Sequence, residues 1–361
     1  MDSGAFACPL CRAGRSEGSL AQRHGRPVRA AGAVTCVSWF GQTAGMTSVM
    51  AVVPEAPARP WPFWRRFVWA FGVVYVFLAM MVGTQPLLPV TAWPWVQGAV
   101  DRVSRLVFGQ PVVTSFGPTG SGDTQFDWVW LFCLLCLSVL AGLVWASWQR
   151  TAPTARQTGV LSDCLRMVLA GWLTSYGLAK FGFGQFGLLP GGTLDITYAE
   201  SSPMGLLWRF MGASAGYQWL AGVAEVLPAL LLLHRRTVTL GALMAAVTMT
   251  NVFALNLFYD VPVKLFSGHL LLLATLLLAM DARRLRALLT GEAVPAVVWA
   301  PQVWWRRLLP WGLTCLILVL VGVNMRAGLQ VLRVDRARTQ VTQEPLKTRG
   351  FHLINEVPFN R

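Results

Sequence analysis

The segment YQWLAGVAEVLPALLLL, residues 217–233, decides the fold class. It is apolar over almost its whole length and approaches the roughly 20 residues that a helix needs to cross the hydrocarbon core of a bilayer. Backbone polar groups in lipid must bond within their own segment, so the run is expected to be a transmembrane helix. Glu225, near its middle, is costly in that environment and is therefore a candidate functional group.

Six further apolar runs of similar length lie along the chain. They are residues 67–82, 128–148, 164–180, 238–258, 263–280 and 308–325. The 361 residues are 55% hydrophobic and only 13% charged, whereas soluble domains carry about 25% charged residues. The sequence therefore predicts an all-α, polytopic transmembrane helical bundle with about seven spans.

The net charge of +14 is better explained by lipid than by nucleic acid. No soluble region interleaves basic and aromatic side chains, so nucleic-acid binding is not expected. In a chain with membrane-length runs, Lys and Arg side chains anchor loops at anionic headgroups. The lipid bilayer is thus the expected partner.

The positions of Lys and Arg predict the orientation, because cytoplasmic loops are enriched in both residues. With the N-terminus in the cytoplasm, the outer side carries only five of them, namely Arg102, Arg105, Lys180, Arg209 and Lys264. We expect a multi-pass protein of the bacterial inner (cytoplasmic) membrane with a cytoplasmic N-terminus. The basic segment after residue 325 would then lie outside, unless the last run is re-entrant.

Two short elements carry a resemblance to a known family. Residues 175–180 read SYGLAK at the end of one run, and residues 222–225 read GVAE within the next. Their order and spacing, followed by TVTLGALM at 237–244 and DARRL at 281–285, resemble the DoxX-like family of small four-helix membrane proteins.

Longer sequence segments at 202–208, 259–264 and 349–352 resemble those of an uncharacterised bacterial subgroup of this family with extra flanking helices. The resemblance implies a DoxX-like four-helix core. It also implies an association with quinone-linked sulfur oxidation or with thiol and oxidative-stress complexes, and it assigns no catalytic residue.

The chain divides into five predicted regions. Residues 1–60 lack periodicity and are expected to be a disordered or non-native extension. Residues 61–160 hold two transmembrane helices with a long outer loop, and residues 161–290 hold the DoxX-like core. Residues 291–326 form the final transmembrane helix, and residues 327–361 form a C-terminal tail.

Polar side chains fall at similar depths in three consecutive runs. At about 1.5 Å per helical residue, Glu225 lies roughly 12 Å below the outer boundary, and Asn251 and His269 lie roughly 10 Å below it. Lys180 ends the preceding run with Tyr176 one turn below it, and its long side chain can reach Glu225. The expected mouth of the site is ringed by Asn256, Asp260 and Lys264.

These residues admit two interpretations. In the first, they form an outward-facing polar pocket for a small ligand, with Glu225 and His269 as proton-handling groups and Lys180 as counter-charge. Alternatively, they bond across helices that the hydrophobic effect cannot hold together in lipid. No metal site is expected, because His234 and His352 do not share the depth of His269.

Cys133 and Cys136 lie three residues apart and share one face of the second run. A membrane dithiol of this kind could exchange electrons with a quinone, and the alternative is that both are inert, small apolar residues. Upstream, the Gly-rich turn before Asp123 is expected to let that carboxylate cap the next element.

Three functions stay open from the residues. The first is a membrane subunit of a quinone-linked or thiol redox system, with a quinone as candidate ligand and a membrane redox partner. The second is a proton-coupled carrier of a small solute that uses Glu225 and His269. The third is a scaffold for a partner protein. The sequence itself names no cofactor and no reaction.

Overall fold

The structure is a computed structural model, and it describes residues 60–83, 90–112, 123–189, 196–293 and 304–348. The helices in these ranges are α1 (Phe63–Val82), α2 (Pro94–Phe108), α3 (Gln125–Trp148), α4 (Ala155–Phe181), α5 (Pro203–Gly212), α6 (Ala215–Leu233), α7 (Val238–Phe258), α8 (Lys264–Met280), α9 (Ala282–Thr290) and α10 (Trp304–Thr348). The described residues form no β-strand, so the predicted all-α class is confirmed for them. The predicted extension lies outside these ranges, except for Pro60.

Five of these helices are long and apolar enough to cross a membrane. They are α1, α3, α6, α7 and the Leu308–Arg336 stretch of α10. Helices α8 and α9 qualify as a pair, bent by 69° at their junction, so the described ranges hold five or six candidate spans. The protein is therefore a multi-pass helical membrane protein. Helix α4 falls outside this set, because polar residues such as Arg166 and Lys180 lower its mean hydropathy.

Capping boxes begin α3 and α4. The Thr124 hydroxyl accepts a hydrogen bond from the backbone N–H of Asp127, and the Asp127 carboxylate accepts one from the backbone N–H of Thr124. Thr154 and Gln157 repeat this arrangement at the start of α4. Each box satisfies amide groups that the first helical turn leaves unpaired.

Four helices close into a ring in which α4 packs on α6, α6 on α7, α7 on α8 and α8 on α4. Leu169, Leu173, Ala229, Met249 and Leu270 are fully buried in its centre. Helix α1 packs on this core and on α3, while α10 packs on α4 and α6. Helix α4 begins at Ala155, six residues before the region 161–290 that was predicted to hold four helices, and the other three ring helices lie within that region.

Glycines bring α4 and α6 close together. A Cβ atom on Gly177 would lie 2.5 Å from the Cγ2 atom of Val226 and 2.9 Å from the carbonyl oxygen of Gly222. A Cβ atom on Gly222 would meet the carbonyl oxygen of Gly177 at 3.1 Å. Small residues allow this close approach. The resulting van der Waals packing holds the two helices together in lipid, where the hydrophobic effect does not.

Helix α10 runs along the whole length of the ring. We call the end where α4 finishes and α6 begins the outer end, following the predicted orientation, and the opposite end the inner end. The Thr314 hydroxyl lies 3.0 Å from the Nε2 atom of His234 at the inner end, whereas Gly328 packs on Phe181 at the outer end. The last apolar run is thus a full-length helix, and it continues to Thr348 through part of the predicted tail.

We predict that Gly177→Ala destabilises the protein by about 1–3 kcal/mol, because the new methyl group overpacks the contact with α6. Unfolding by SDS titration in mixed micelles measures the change. Gly171→Ala is the matched control, since a Cβ atom there has no neighbour within 4 Å. That variant should be neutral or more stable, because alanine favours a helix over glycine. Equal loss in both variants would contradict the glycine contact.

Candidate functional site

A buried ion pair joins α4 to α6. The Nζ atom of Lys180 donates to the Oε2 atom of Glu225 over 2.6 Å. The Lys180 side chain is 5% exposed and the Glu225 side chain is 1% exposed. Charges removed from water to this degree are strongly unfavourable unless they are paired, so each side chain requires the other.

The helix geometry explains why the two side chains meet. The chain enters α6 from the end at which α4 finishes, so the two packed helices run in opposite directions. Helical side chains tilt toward the N-terminus of their own helix. Lys180 therefore points toward the inner end and Glu225 toward the outer end. Each lies three residues beyond a contact glycine, Gly177 and Gly222 respectively.

Aromatic rings and a carbonyl group complete the surroundings of the ammonium group. The Nζ atom of Lys180 lies 5.5 Å from the ring centre of Tyr176 and 5.8 Å from that of Phe186, both within the range of cation–π attraction. It also approaches the carbonyl oxygen of Tyr176 at 3.5 Å. The Tyr176 ring stacks on Phe266 with centres 5.8 Å apart, which ties this environment to α8.

The ion pair forms part of the wall of a cavity of about 670 Å³, which we call the ion-pair cavity. Its walls come from α4, α6 and α7 and the turns beside them, and α5 covers one side through Leu207, Trp208 and Met211. The polar groups on the walls are Ser175, Lys180, Gln185, Glu225, Thr248, Asn251 and Asn256. The aromatic groups are Trp172, Tyr176, Phe186, Trp208 and Tyr217.

A proline in α6 adds a polar contact at this wall. Pro228 has no N–H group to bond the carbonyl of Ala224, four residues earlier. The Thr248 hydroxyl of α7 donates to that carbonyl oxygen over 3.0 Å instead. Ala224 and Thr248 both line the cavity, so this bond holds α7 against the segment of α6 that presents Glu225.

Five of the residues predicted from the sequence share the ion-pair cavity: Tyr176, Lys180, Glu225, Asn251 and Asn256. The Asn256 amide is buried and donates to the Oγ atom of Ser267 over 2.9 Å and to the Val263 carbonyl over 3.4 Å. Its nitrogen is therefore engaged in joining α7 to α8. Asn251, in contrast, is exposed.

His269 lies outside the ion-pair cavity, although its predicted depth matches that of Glu225. Its Nδ1 atom is 2.6 Å from the carbonyl oxygen of Leu265, and its Nε2 atom is 2.7 Å from the hydroxyl oxygen of Tyr75. Since a carbonyl only accepts, Nδ1 carries a proton, and in the neutral imidazole Nε2 then accepts from Tyr75. Within the described chain, His269 joins α8 to α1 and does not pair with Glu225.

Asp260 and Lys264 pair with each other in a separate cleft at the outer end. The Lys264 Nζ atom donates to the Oδ1 atom of Asp260 over 2.8 Å, and the Asp260 side chain is 82% exposed. With Asp123, Trp128 and Ser202 they line a volume of about 420 Å³, apart from the ion-pair cavity.

Asp123 makes a contact that the sequence analysis missed. Its carboxylate accepts from the backbone N–H of Lys264 over 2.5 Å and from that of Leu265 over 3.0 Å. It thus caps α8, and the expectation that it caps the adjacent element is wrong, because Thr124 begins α3. No local signal indicates a cap that acts across 141 residues.

The two cysteines of α3 are also remote from the ion-pair cavity. Cys133 is partly buried against Val96, Val100 and Phe126, between α2 and α3, and Cys136 is exposed. Both thiols are free. Among the described residues, no cluster of three or more His, Cys, Asp or Glu side chains is arranged to hold a metal ion.

These features define a multi-pass helical membrane protein in which a buried ion pair forms part of the wall of a cavity between helices. The chain is similar to the uncharacterized protein YwoB of Bacillus subtilis (strain 168), with 34% identity over 129 residues that make up 36% of this chain and 82% of the relative. The chain belongs to the family of that protein. No family model matches the chain, and no solved structure matches it significantly.

We predict that Lys180→Met and Glu225→Gln each destabilise the protein by about 3–5 kcal/mol, because each leaves one buried charge without its partner. The double variant should recover most of the loss, since it buries no charge. SDS titration of all three variants measures the coupling. The control pair, Lys264→Met and Asp260→Asn, is partly exposed and should change stability by at most about 1 kcal/mol. Additive losses at Lys180 and Glu225 would contradict a buried pair.

We predict that Asp123→Ala costs about 0.5–2 kcal/mol, the usual effect of removing a helix cap. Hydrogen exchange at residues 264 and 265 should accelerate, because both amides lose their acceptor. Asp260→Ala removes a neighbouring carboxylate that accepts no backbone N–H in the described structure, and serves as the control. Unchanged exchange in Asp123→Ala would show that the amides have another acceptor.

Proposed function

We propose that the protein binds a small amphipathic ligand with a flat ring and acceptor oxygens in the ion-pair cavity, and that a quinone is the representative compound. The observation that carries the proposal is the buried Lys180–Glu225 pair on the wall of a cavity of about 670 Å³. That volume falls within the usual range of about 300–1,000 Å³ for small-molecule sites.

The wall chemistry supports this class of ligand. Trp172, Tyr176 and Trp208 offer ring faces and edges for a flat apolar group. Asn251 offers amide donors to carbonyl oxygens, and the ammonium group of Lys180 can bond an acceptor while it stays paired with Glu225. The proposed ligand therefore stacks on the rings and directs its oxygens toward the polar wall.

The geometry favours ligand binding over a proton-coupled carrier and over thiol redox chemistry. A carrier that couples protons through Glu225 and His269 is less well supported, because His269 bonds Tyr75 outside the cavity. A thiol redox role for Cys133 and Cys136 has no support from their position, since neither lines the cavity. In the proposed role, a separate membrane redox partner would exchange electrons with the bound quinone.

The membrane arrangement belongs to the same proposal. We propose that α4 spans the bilayer within a DoxX-like four-helix core, which brings the spans to seven, and that the N-terminus faces the cytoplasm of the bacterial inner membrane. Helix α4 has 27 residues and packs within the ring, which supports a span despite its polar residues. The full-length path of α10 likewise supports an odd number of crossings.

We predict that a short-chain ubiquinone analogue quenches tryptophan fluorescence of the purified protein saturably, because Trp172 and Trp208 line the cavity. Ala224→Leu should weaken the apparent affinity about tenfold, or roughly 1.4 kcal/mol, by filling the cavity. Ala141→Leu, at an exposed position of α3, is the matched control and should bind like the wild type. Equal titration curves for the two variants would overturn the proposed site.

A further inference from the structure

A second groove of about 740 Å³ lies between α1, α3 and α4, with α8 behind it. Its walls are almost entirely apolar and include Trp69, Phe77, Met80, Trp145 and Val160. Phe77 is 60% exposed and Val160 is 57% exposed, so the groove opens sideways to the surroundings of the bundle. In a membrane, that opening faces lipid.

The groove is one leaflet deep. Along α4 its wall runs from Arg156 to Val168, a span of about 18 Å at 1.5 Å per residue. Half of a hydrocarbon core of about 30 Å is about 15 Å. An acyl chain that entered from the inner end would therefore reach the middle of the bilayer at the far end of the groove.

A positively charged side chain lies at the inner end of the groove. Arg156 and Gln157, in the first turn of α4, are the polar groups of its lining. The Arg156 side chain is exposed and makes no hydrogen bond or ion pair with any described residue. The nearest acidic residue along α4, Asp163, already pairs with Arg166 and Arg235 at 3.2 Å each.

We propose that this groove binds one anionic phospholipid, with an acyl chain along Trp69, Phe77 and Val160 and its phosphate on Arg156. A guanidinium group bonds phosphate oxygens through two parallel N–H donors, which suits a headgroup at the bilayer surface. Charge complementarity selects an anionic lipid over a zwitterionic one. This inference is independent of the ligand in the ion-pair cavity.

Native mass spectrometry of the full chain, released from nanodiscs with equal amounts of phosphatidylglycerol and phosphatidylcholine of matched acyl chains, tests the proposal. We expect one retained phosphatidylglycerol per protein. Arg156→Gln should reduce its retention about tenfold, whereas Arg102→Gln, at an exposed arginine of α2 near the outer end, should not. Equal retention of the two lipids by the wild type, or equal effects of the two substitutions, would overturn the proposal.

Substitutions that fill the groove distinguish binding of the acyl chain from binding of the headgroup. Val160→Trp should abolish retention of the lipid, while Val247→Trp, at an exposed position of α7 that lines no described cavity, should leave it intact. Soluble glycerol phosphate should not displace the lipid, because it has no chain to fill the groove. Displacement by glycerol phosphate, or full retention in Val160→Trp, would contradict acyl-chain binding.

Discussion

Two charged side chains that are almost wholly withdrawn from solvent have to face each other, and the packing of α4 on α6 meets that requirement. Lys180 and Glu225 lie 2.6 Å apart because the glycines one turn before them let the helix backbones approach. A bulkier residue at either glycine would separate the helices, and each charge would then lose the partner that offsets its desolvation. This contact joins two of the four helices of the closed ring.

Several other polar groups of the described bundle are bonded across helices. His269 of α8 bonds Tyr75 of α1, Asn256 of α7 bonds Ser267 of α8, and the carboxylate of Asp123 caps α8. In lipid such bonds fix register and rotation, because apolar packing alone distinguishes poorly between neighbouring arrangements. Several residues that the sequence analysis named as candidate site residues therefore bond neighbouring helices together. Only some of the candidates line the ion-pair cavity.

The two large cavities differ in chemistry because they lie between different sets of helices. The ion-pair cavity lies between ring helices and carries charge, amides and aromatic rings. The groove beside α1 and α3 lies at the edge of the ring, where the close contact of Gly142 with Phe71 draws α3 onto α1 and leaves an apolar space beside α4. One site suits a ring with acceptor oxygens, and the other suits a hydrocarbon chain with an anionic head.

The sequence by itself determined that the chain is helical and multi-pass, and it located the seven longest helices of the described ranges. The predicted run 238–258 coincides with α7, and residues 217–233 fall within α6. Run length and hydropathy carry this information, because the bilayer imposes both locally. The approach of Lys180 to Glu225 was also predictable, because Lys180 ends the run before that of Glu225 and its long side chain can reach down toward the carboxylate.

Only the tertiary structure decided which way each polar side chain faces. Depth along a helix follows from counting residues, but the rotation of the helix about its axis depends on its packing partners. His269 therefore matched Glu225 in depth and still turned toward Tyr75. The Asp123 cap on α8 and the cover that α5 places over the ion-pair cavity depend on contacts between distant segments, which no local pattern of residues encodes.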